Sequence, residues 1–254
     1  MQTPHHAKVE DQFGSRADAY VKSAVHASGE DLDRLEALAA ASRPRRALDL
    51  GTGGGHVAYR MAPHAGQVTA SDLSPAMLAA VARTAAERSL ANIDTVPAAA
   101  EALPFADGEF DFLACRYSAH HWRDFEAGLR QARRVLKTGS PAVFIDAVAP
   151  RGALADTHLQ AIELLRDPSH GRDYGLAEWS AALERAGFAT MAVATWRIRM
   201  DYETWVERMR TPATHRAAIR ALQALASDEV RERLAIEPDG SFLLDVALFE
   251  TRAG

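Results

Sequence analysis

The sequence predicts an α/β fold: a seven-stranded, mostly parallel sheet with helices on both faces. Two observations carry this reading. Between about residues 47 and 148, short apolar runs alternate with helix-length amphipathic patterns, the signature of a parallel sheet whose crossover helices cover it. The first of those runs also ends directly in a glycine-rich turn, "ALDLGTGGGHVAYRMAP", as a strand does when it hands over to a helix beside a ligand.

The elements follow in order. Residues 9–26 alternate charged and apolar side chains at loosely helical spacing, until "HASGED" interrupts them. A second helix is expected over 32–40, where Leu32, Leu35 and Leu38 form one stripe, and "ASRPRR" ends it. Strands are then expected over 47–50, 67–71, 93–96, 110–115 and 141–148, with helices over 54–61, 75–89 and 124–136. Ser74 stands as a cap ahead of Pro75 at a first helical position. A long excursion follows, then a helix over 176–186 that Gly187 terminates, and a sixth strand over 189–198. A polar, helix-rich stretch over 202–236 and the turn "EPDG" precede a last apolar strand, "SFLLDVALFE". The whole is expected as one domain over residues 1–254. Residues 1–45 would form an N-terminal helical cap, and insertions over 150–175 and 200–237 a substrate pocket or lid.

Bulk properties narrow the function. The 254 residues are 48% hydrophobic and 25% charged, as in an ordinary globular chain. A net charge of -5 and a pI near 6.1 do not supply the positive field of a non-specific nucleic-acid binder. Cys115 is the single cysteine, so no intrachain disulfide can form, and it is expected as inert core. His5 and His6 in a tail do not make a zinc spacing, and no metal is expected. No run reaches the roughly 20 apolar residues that span a bilayer, and no signal-peptide core opens the chain. The expectation is a cytoplasmic protein without stable membrane association, monomeric or homodimeric.

The turn after the first strand decides what is bound. Gly51, Gly53 and Gly55 bring backbone close to a ligand, but His56 takes the place of the last glycine of a dinucleotide fingerprint. "GHVAYR" likewise lacks the Gly-Lys-Ser/Thr of a phosphate-cradling loop. Asp49, just before the turn, would repel a pyrophosphate and suits a cation or an amino group. Asp72 closes the second strand 23 residues later, where a carboxylate can accept both ribose hydroxyls. The combination points to ribose, no phosphate and a positive centre.

"ALDLGTGGG", "VTASDLSPAML", "AEALPFADGEFDFLACRYSAHHW" and "ARRVLKTGS" resemble the successive motifs of class I S-adenosylmethionine-dependent methyltransferases, in the ubiquinone/menaquinone C-methyltransferase-like branch. Through "LRDPSH", "EW", "TW" and the strand after "EPDG", the chain is most similar to an uncharacterised bacterial group of that branch. The resemblance implies a Rossmann-like fold and S-adenosyl-L-methionine as cofactor. It implies that Asp49 and the Gly51, Thr52, Gly53 and Gly55 turn hold the methionine portion, that Asp72 holds the ribose diol, and that Leu73 and Met77 pack on adenine. Ala100 and Glu101 would close the adenine edge, with Arg116 on the cofactor side. Where the family more often carries an aspartate for the adenine amino group, this chain has Ala99, which implies weaker cofactor binding.

The acceptor is expected beyond the fourth strand, since ligands of open α/β sheets sit at the carboxyl ends of the strands. "CRYSAHHWRD" concentrates hydrogen-bonding and stacking groups there. By resemblance, His120 and His121 lie near the sulfonium end and are the catalytic candidates. The plainer alternative is that His121 bonds to backbone while Trp122 packs a helix. "RDPSHGRDY" supplies a second polar cluster. The substrate-binding candidates are Tyr117, His121, Arg166, His170 and Tyr174, and two arginines would suit an anionic or planar heterocyclic acceptor. The fourth-strand motif lacks the Asn/Asp-Pro-Pro-aromatic of nucleic-acid amino-methyltransferases. A small-molecule acceptor is therefore expected, the alternatives being a protein methyltransferase or a non-catalytic regulator that binds the cofactor.

Overall fold

A computed structural model describes residues 4–14 and 29–254. The chain runs through α1 (His5–Gly14), α2 (Glu30–Ser42), β1 (Arg46–Leu50), α3 (His56–Met61), β2 (Gln67–Asp72), α4 (Pro75–Glu87), β3 (Ile93–Pro97) and β4 (Phe112–Arg116). It continues through α5 (Phe125–Val135), β5 (Pro141–Ala147), α6 (Ala153–Arg166), α7 (Leu176–Ala186) and β6 (Phe188–Met200), then α8 (Tyr202–Arg208), α9 (Ala213–Leu225), α10 (Asp228–Leu234) and β7 (Phe242–Ala253). The helix expected over 9–26 begins earlier, at His5, and residues 15–26 of it lie outside the described residues.

The seven strands form one sheet in the order β3-β2-β1-β4-β5-β7-β6. β1 to β5 run parallel, while β7 lies antiparallel between β5 and β6. β6 outruns its expected length because it pairs with β7 from Phe188 to Met200, absorbing one irregularity between Thr190 and Ala192. This is the seven-stranded, mostly parallel sheet that the alternating pattern implied, in the Rossmann-like form that the family resemblance implied.

The strand period of two distributes the core. Leu48 and Leu50 face one layer, where α5 and α7 bring Leu129, Trp179 and Leu183 against Leu113, Phe144 and Phe249. Ala47 and its neighbours Val68, Ala70, Phe112 and Ile145 face the other, under Leu32 and Leu35 of α2, Val57 of α3 and Val81 of α4. Cys115 is buried in the first layer. A smaller third core joins the late helices to the sheet: Leu159 and Ile162 of α6, Trp205 and Val206 of α8 and Ile219 of α9 close on Phe242 and Leu244 of β7.

Caps set where the helices begin. Ser74 accepts the Met77 N–H at 3.3 Å with Pro75 behind it, and Asp124 accepts the Ala127 N–H at 2.9 Å, so α4 and α5 start at their strands' carboxyl ends. Gly187 stops α7 in the left-handed region, φ 92°.

Candidate active site

The register places Asp49 beside Ala70 of β2 and Ala114 of β4, in the middle of the sheet at its carboxyl edge. Its Oδ2 accepts from Thr52 Oγ1 at 2.6 Å and from the Ala58 N–H at 3.0 Å, tying the glycine turn to α3. Burial pushes the Asp49 carboxyl up to about 7, against the pull of those two donors. Asp72 closes β2 and divides its oxygens, Oδ2 accepting the Gly53 N–H and Oδ1 the Ser74 N–H, both at 2.9 Å. Burial raises its pKa as well.

The glycines of the turn have different reasons to be glycine. At Gly51, φ 71°, a Cβ would fall 1.9 Å from Ser118 Oγ. At Gly53, φ 50°, it would meet no atom of the chain and would enter the cavity. At Gly55, φ 81°, it would strike the Tyr59 ring at 2.6 Å.

A cavity of about 630 Å³ opens over this edge of the sheet. Asp49, Gly51, Thr52, Gly53, Asp72, Leu73, Met77, Ala100, Glu101 and Arg116 all line it. Gly55 is not in the lining; at φ 81° it makes room for Tyr59 under α3. Ala99 is also absent from the lining, turned into a tight bridge with Ala102. Glu101 has a structural duty besides, since its Oε1 accepts the Arg123 and Asp124 N–H groups at 2.7 and 3.1 Å ahead of α5. Arg116 is buried and paired with Asp31 of α2 at 2.5 Å, its guanidinium 4.7 Å from the Tyr117 ring centroid.

Across the cavity stand three histidines. His120 and His121 end a short 3-10 turn, Ala119–His121, and Asp146 at the end of β5 receives it. Asp146 Oδ2 accepts the Ala119 N–H at 2.9 Å, and Oδ1 lies 2.5 Å from His120 Nδ1, which therefore carries the proton between them. Burial works against the His120 imidazolium, but the Asp146 carboxylate, with Asp173 and Glu163 behind it, prevails and pushes the pKa up to about 9. Burial and then the His120 charge push His121 down to about 4. Its Nδ1 donates to the Ser169 carbonyl at 3.1 Å, the backbone bond of the plainer alternative, while its ring still lines the cavity. His170, pushed down to about 2 by burial and by the same two histidines, lies 3.0 Å from Gln160 Oε1 through Nε2. The His120 centroid is 4.1 Å from that of His121 and 5.9 Å from that of His170.

A methyltransferase domain model matches residues 48–144. The Escherichia coli protein YafE is 40% identical over 196 residues, 77% of this chain and 95% of its own length. The Bacillus subtilis methyltransferase YcgJ is 33% identical over 227 residues, 89% of this chain and 90% of its own. Its crystal structure superposes with a TM-score of 0.83, at 31% identity, over 87% of this chain and 97% of that one. The demethylmenaquinone methyltransferase of Chlorobaculum tepidum is 35% identical over 113 residues, 44% of this chain and 45% of its own length. The chain belongs to the class I S-adenosylmethionine-dependent methyltransferases.

In this methyltransferase the late helices complete the cavity. Arg166, from the end of α6, lines it together with Glu163, Asp167, His170 and Asp173, and Tyr117 borders it from the end of β4. The anionic acceptor that two arginines suggested finds no free pair of cations here. Arg166 donates to Glu163 Oε2 and to the Trp205 carbonyl at 3.0 and 3.1 Å, and Arg172 bonds Asp156 and Glu178 outside the lining. Tyr174 is not in the lining either: its ring stacks on Phe125 at 3.9 Å, against the core layer. Sequence reasoning missed Asp31, Asp146, Glu163 and Asp173. Of these only Asp146 had a usable signal, an aspartate near the carboxyl end of an apolar strand. Among the described residues, no helix is long and apolar enough to cross a membrane.

Proposed function

We propose that the protein transfers the methyl group of S-adenosylmethionine to a small molecule seated between the glycine turn and the three histidines. The observation that carries this reading is the pair of buried carboxylates, Asp49 and Asp72, on either side of an open glycine backbone in a chain of this family. The residues fit the cofactor. Both protein donors of Asp49 fall on Oδ2, which leaves Oδ1 for an ammonium. Each Asp72 oxygen keeps acceptor capacity beyond its one backbone N–H, enough for a ribose diol. Leu73 and Met77 offer an apolar wall to adenine, and Gly53 offers no side chain at all.

When bound, the cofactor supplies an electrophilic methyl group on a cationic sulfur, and the displacement then depends on alignment. His120 is the residue we assign to the acceptor's proton. Its Nδ1 is committed to Asp146, which leaves Nε2 to face the acceptor, and with a pKa pushed up to about 9 it takes up that proton only from its neutral fraction, which grows as pH rises toward 9. His121, neutral at physiological pH, presents a lone pair rather than a charge, and with Arg166, His170 and Tyr117 shapes the acceptor side. No observation favours a protein acceptor or a purely regulatory role.

Calorimetric titration with S-adenosylhomocysteine and, separately, NADH tests the reading. Binding of the thioether alone, weakened in Asp72→Ala, supports it; binding of NADH, or of neither by folded protein, overturns it. Turnover with small-molecule extracts then separates enzyme from regulator.

A further inference from the structure

The acceptor end of the cavity is rich in carboxylates, and the described residues answer all but one of them. Glu163 takes Arg166 at 3.0 Å, and Asp146 takes His120 at 2.5 Å. Asp167 Oδ1 is filled by the Ser169 N–H and Oγ at 2.8 and 2.6 Å. Asp173 is different. It is 2% exposed and lines the cavity, yet its Oδ2 has no hydrogen-bond partner among the described residues. Among the described residues, the cationic candidate within ion-pair reach, His170 Nε2, is 4.0 Å away and turned to Gln160 Oε1. Gln160 also clamps the Asp173 backbone, its Oε1 accepting the N–H at 3.1 Å and its Nε2 donating to the carbonyl at 2.9 Å. The side chain is held in place with Oδ2 unpartnered among the described residues, at a desolvation cost that a ligand donor would offset.

We propose that Asp173 Oδ2 is the anchor for a cationic nitrogen, so that the methyl acceptor of this protein is an amine-bearing small molecule. The inference rests on the methyltransferase reading above and adds the acceptor's class. The groups facing Asp173 agree with it. Glu163 and Arg166 of α6 cancel, as do His120 and Asp146, and His170 is neutral. An anionic ligand would meet an unanswered carboxyl group, whereas an ammonium completes a third ion pair. Without the ligand, burial and the Glu163 charge push the Asp173 carboxyl up to about 8. Seating a cation there displaces that proton to solvent.

The test uses one ring with three head groups: benzylamine, benzyl alcohol and benzoate, titrated into the full chain saturated with S-adenosylhomocysteine and followed by ligand-observed NMR. Benzylamine should bind at least about tenfold more tightly than benzoate. Calorimetry at pH 7 in two buffers of different ionisation enthalpy should show proton release on binding. In Asp173→Asn, with S-adenosylhomocysteine affinity intact, both the preference and the proton release should vanish. A preference for benzoate, no discrimination, binding of none of the three, or a preference that survives Asp173→Asn overturns the proposal. The wild-type comparison needs no variant and stands if Asp173→Asn fails to fold. Failure to bind S-adenosylhomocysteine at all would instead sink the methyltransferase reading, which separates the two.

Discussion

Asp72→Ala offers the sharpest access to the proposed cofactor site, because Asp72 has two jobs that one ligand series can separate. Within the chain it accepts the Gly53 and Ser74 N–H groups, each at 2.9 Å. Removing it strands both donors, at about 1–3 kcal/mol for each that water cannot reach, so stability falls whether or not a ligand exists. The proposed second job is to accept the ribose hydroxyls. A hydrogen bond to a charged group contributes about 1.5–3 kcal/mol, or roughly 10- to 150-fold in affinity. The assay is a cycle: S-adenosylhomocysteine and its 2′-deoxy analogue titrated into wild type and Asp72→Ala. The cost of disturbing the turn is common to both ligands in the variant and cancels in the coupling energy. Wild type should lose roughly 10- to 150-fold on losing the hydroxyl, and the variant almost nothing. If the deoxy ligand is weakened equally in both proteins, Asp72 does not touch the ribose and the reasoning from its position fails.

Three further outcomes follow from the geometry. In a 13C-histidine NMR titration, His120 should titrate near 9, His121 near 4, and Asp146→Asn should bring His120 well below 9. For stability, His120 keeps its proton to about 9 when folded but only to roughly 6.5 when unfolded. Its contribution is therefore complete below pH 6.5 and is lost as pH rises through 9. The raised carboxyls of Asp49 and Asp173 act in the same direction. Wild type should lose melting temperature from pH 7 to 9 more steeply than His120→Asn, and parallel curves would refute the His120–Asp146 account. Gly53→Ala should fold at a cost of about 1 kcal/mol for its left-handed φ yet bind S-adenosylhomocysteine poorly. Gly55→Ala, whose Cβ meets Tyr59 at 2.6 Å, should lower stability first, by about 1–3 kcal/mol. Thermal melts and calorimetry together distinguish the two.

What was legible in the sequence is what local pattern determines. The order and type of the strands, the Ser74 cap and the Gly187 stop depend on neighbours in the chain, and each appears where the pattern put it. The turn from Asp49 to Gly53 was legible for the same reason, since its geometry is set within a few residues. The acceptor side was not. Arg166 reads from sequence as an available cation, but Glu163, one helical turn earlier, and the Trp205 carbonyl, contributed by α8, occupy it. Tyr174 reads as a pocket residue until α5 brings Phe125 against its ring. The His120–Asp146 pair joins residues 26 apart, one in the turn after β4 and the other on the neighbouring β5, and Asp31 reaches Arg116 across 85 residues. Such partners come from sheet order, which a local pattern does not encode. Gly55 lies inside the ligand motif, yet its left-handed φ and the Tyr59 ring packed against it already require a glycine there.

The pairing of charges also bears on how the proposed reaction could proceed in so acidic a cavity. Methyl transfer from a sulfonium discharges a cation, so fully ionised carboxylates around it would stabilise the reactant more than the transition state and slow the step. The chain moderates that field locally. Asp31 and Glu163 are answered by arginines, and Asp146 by an imidazolium. Asp49, with its carboxyl near 7, carries only part of a charge at neutral pH. The remaining unanswered oxygen, on Asp173, belongs to the acceptor end, beyond the histidines. A cation bound there adds a positive charge on the side toward which the methyl group would move, and when it pairs with Asp173 that charge is cancelled where it arises. With that pairing the acceptor end is close to neutral overall while His120 holds its proton, and the His120 ring is already oriented by Asp146.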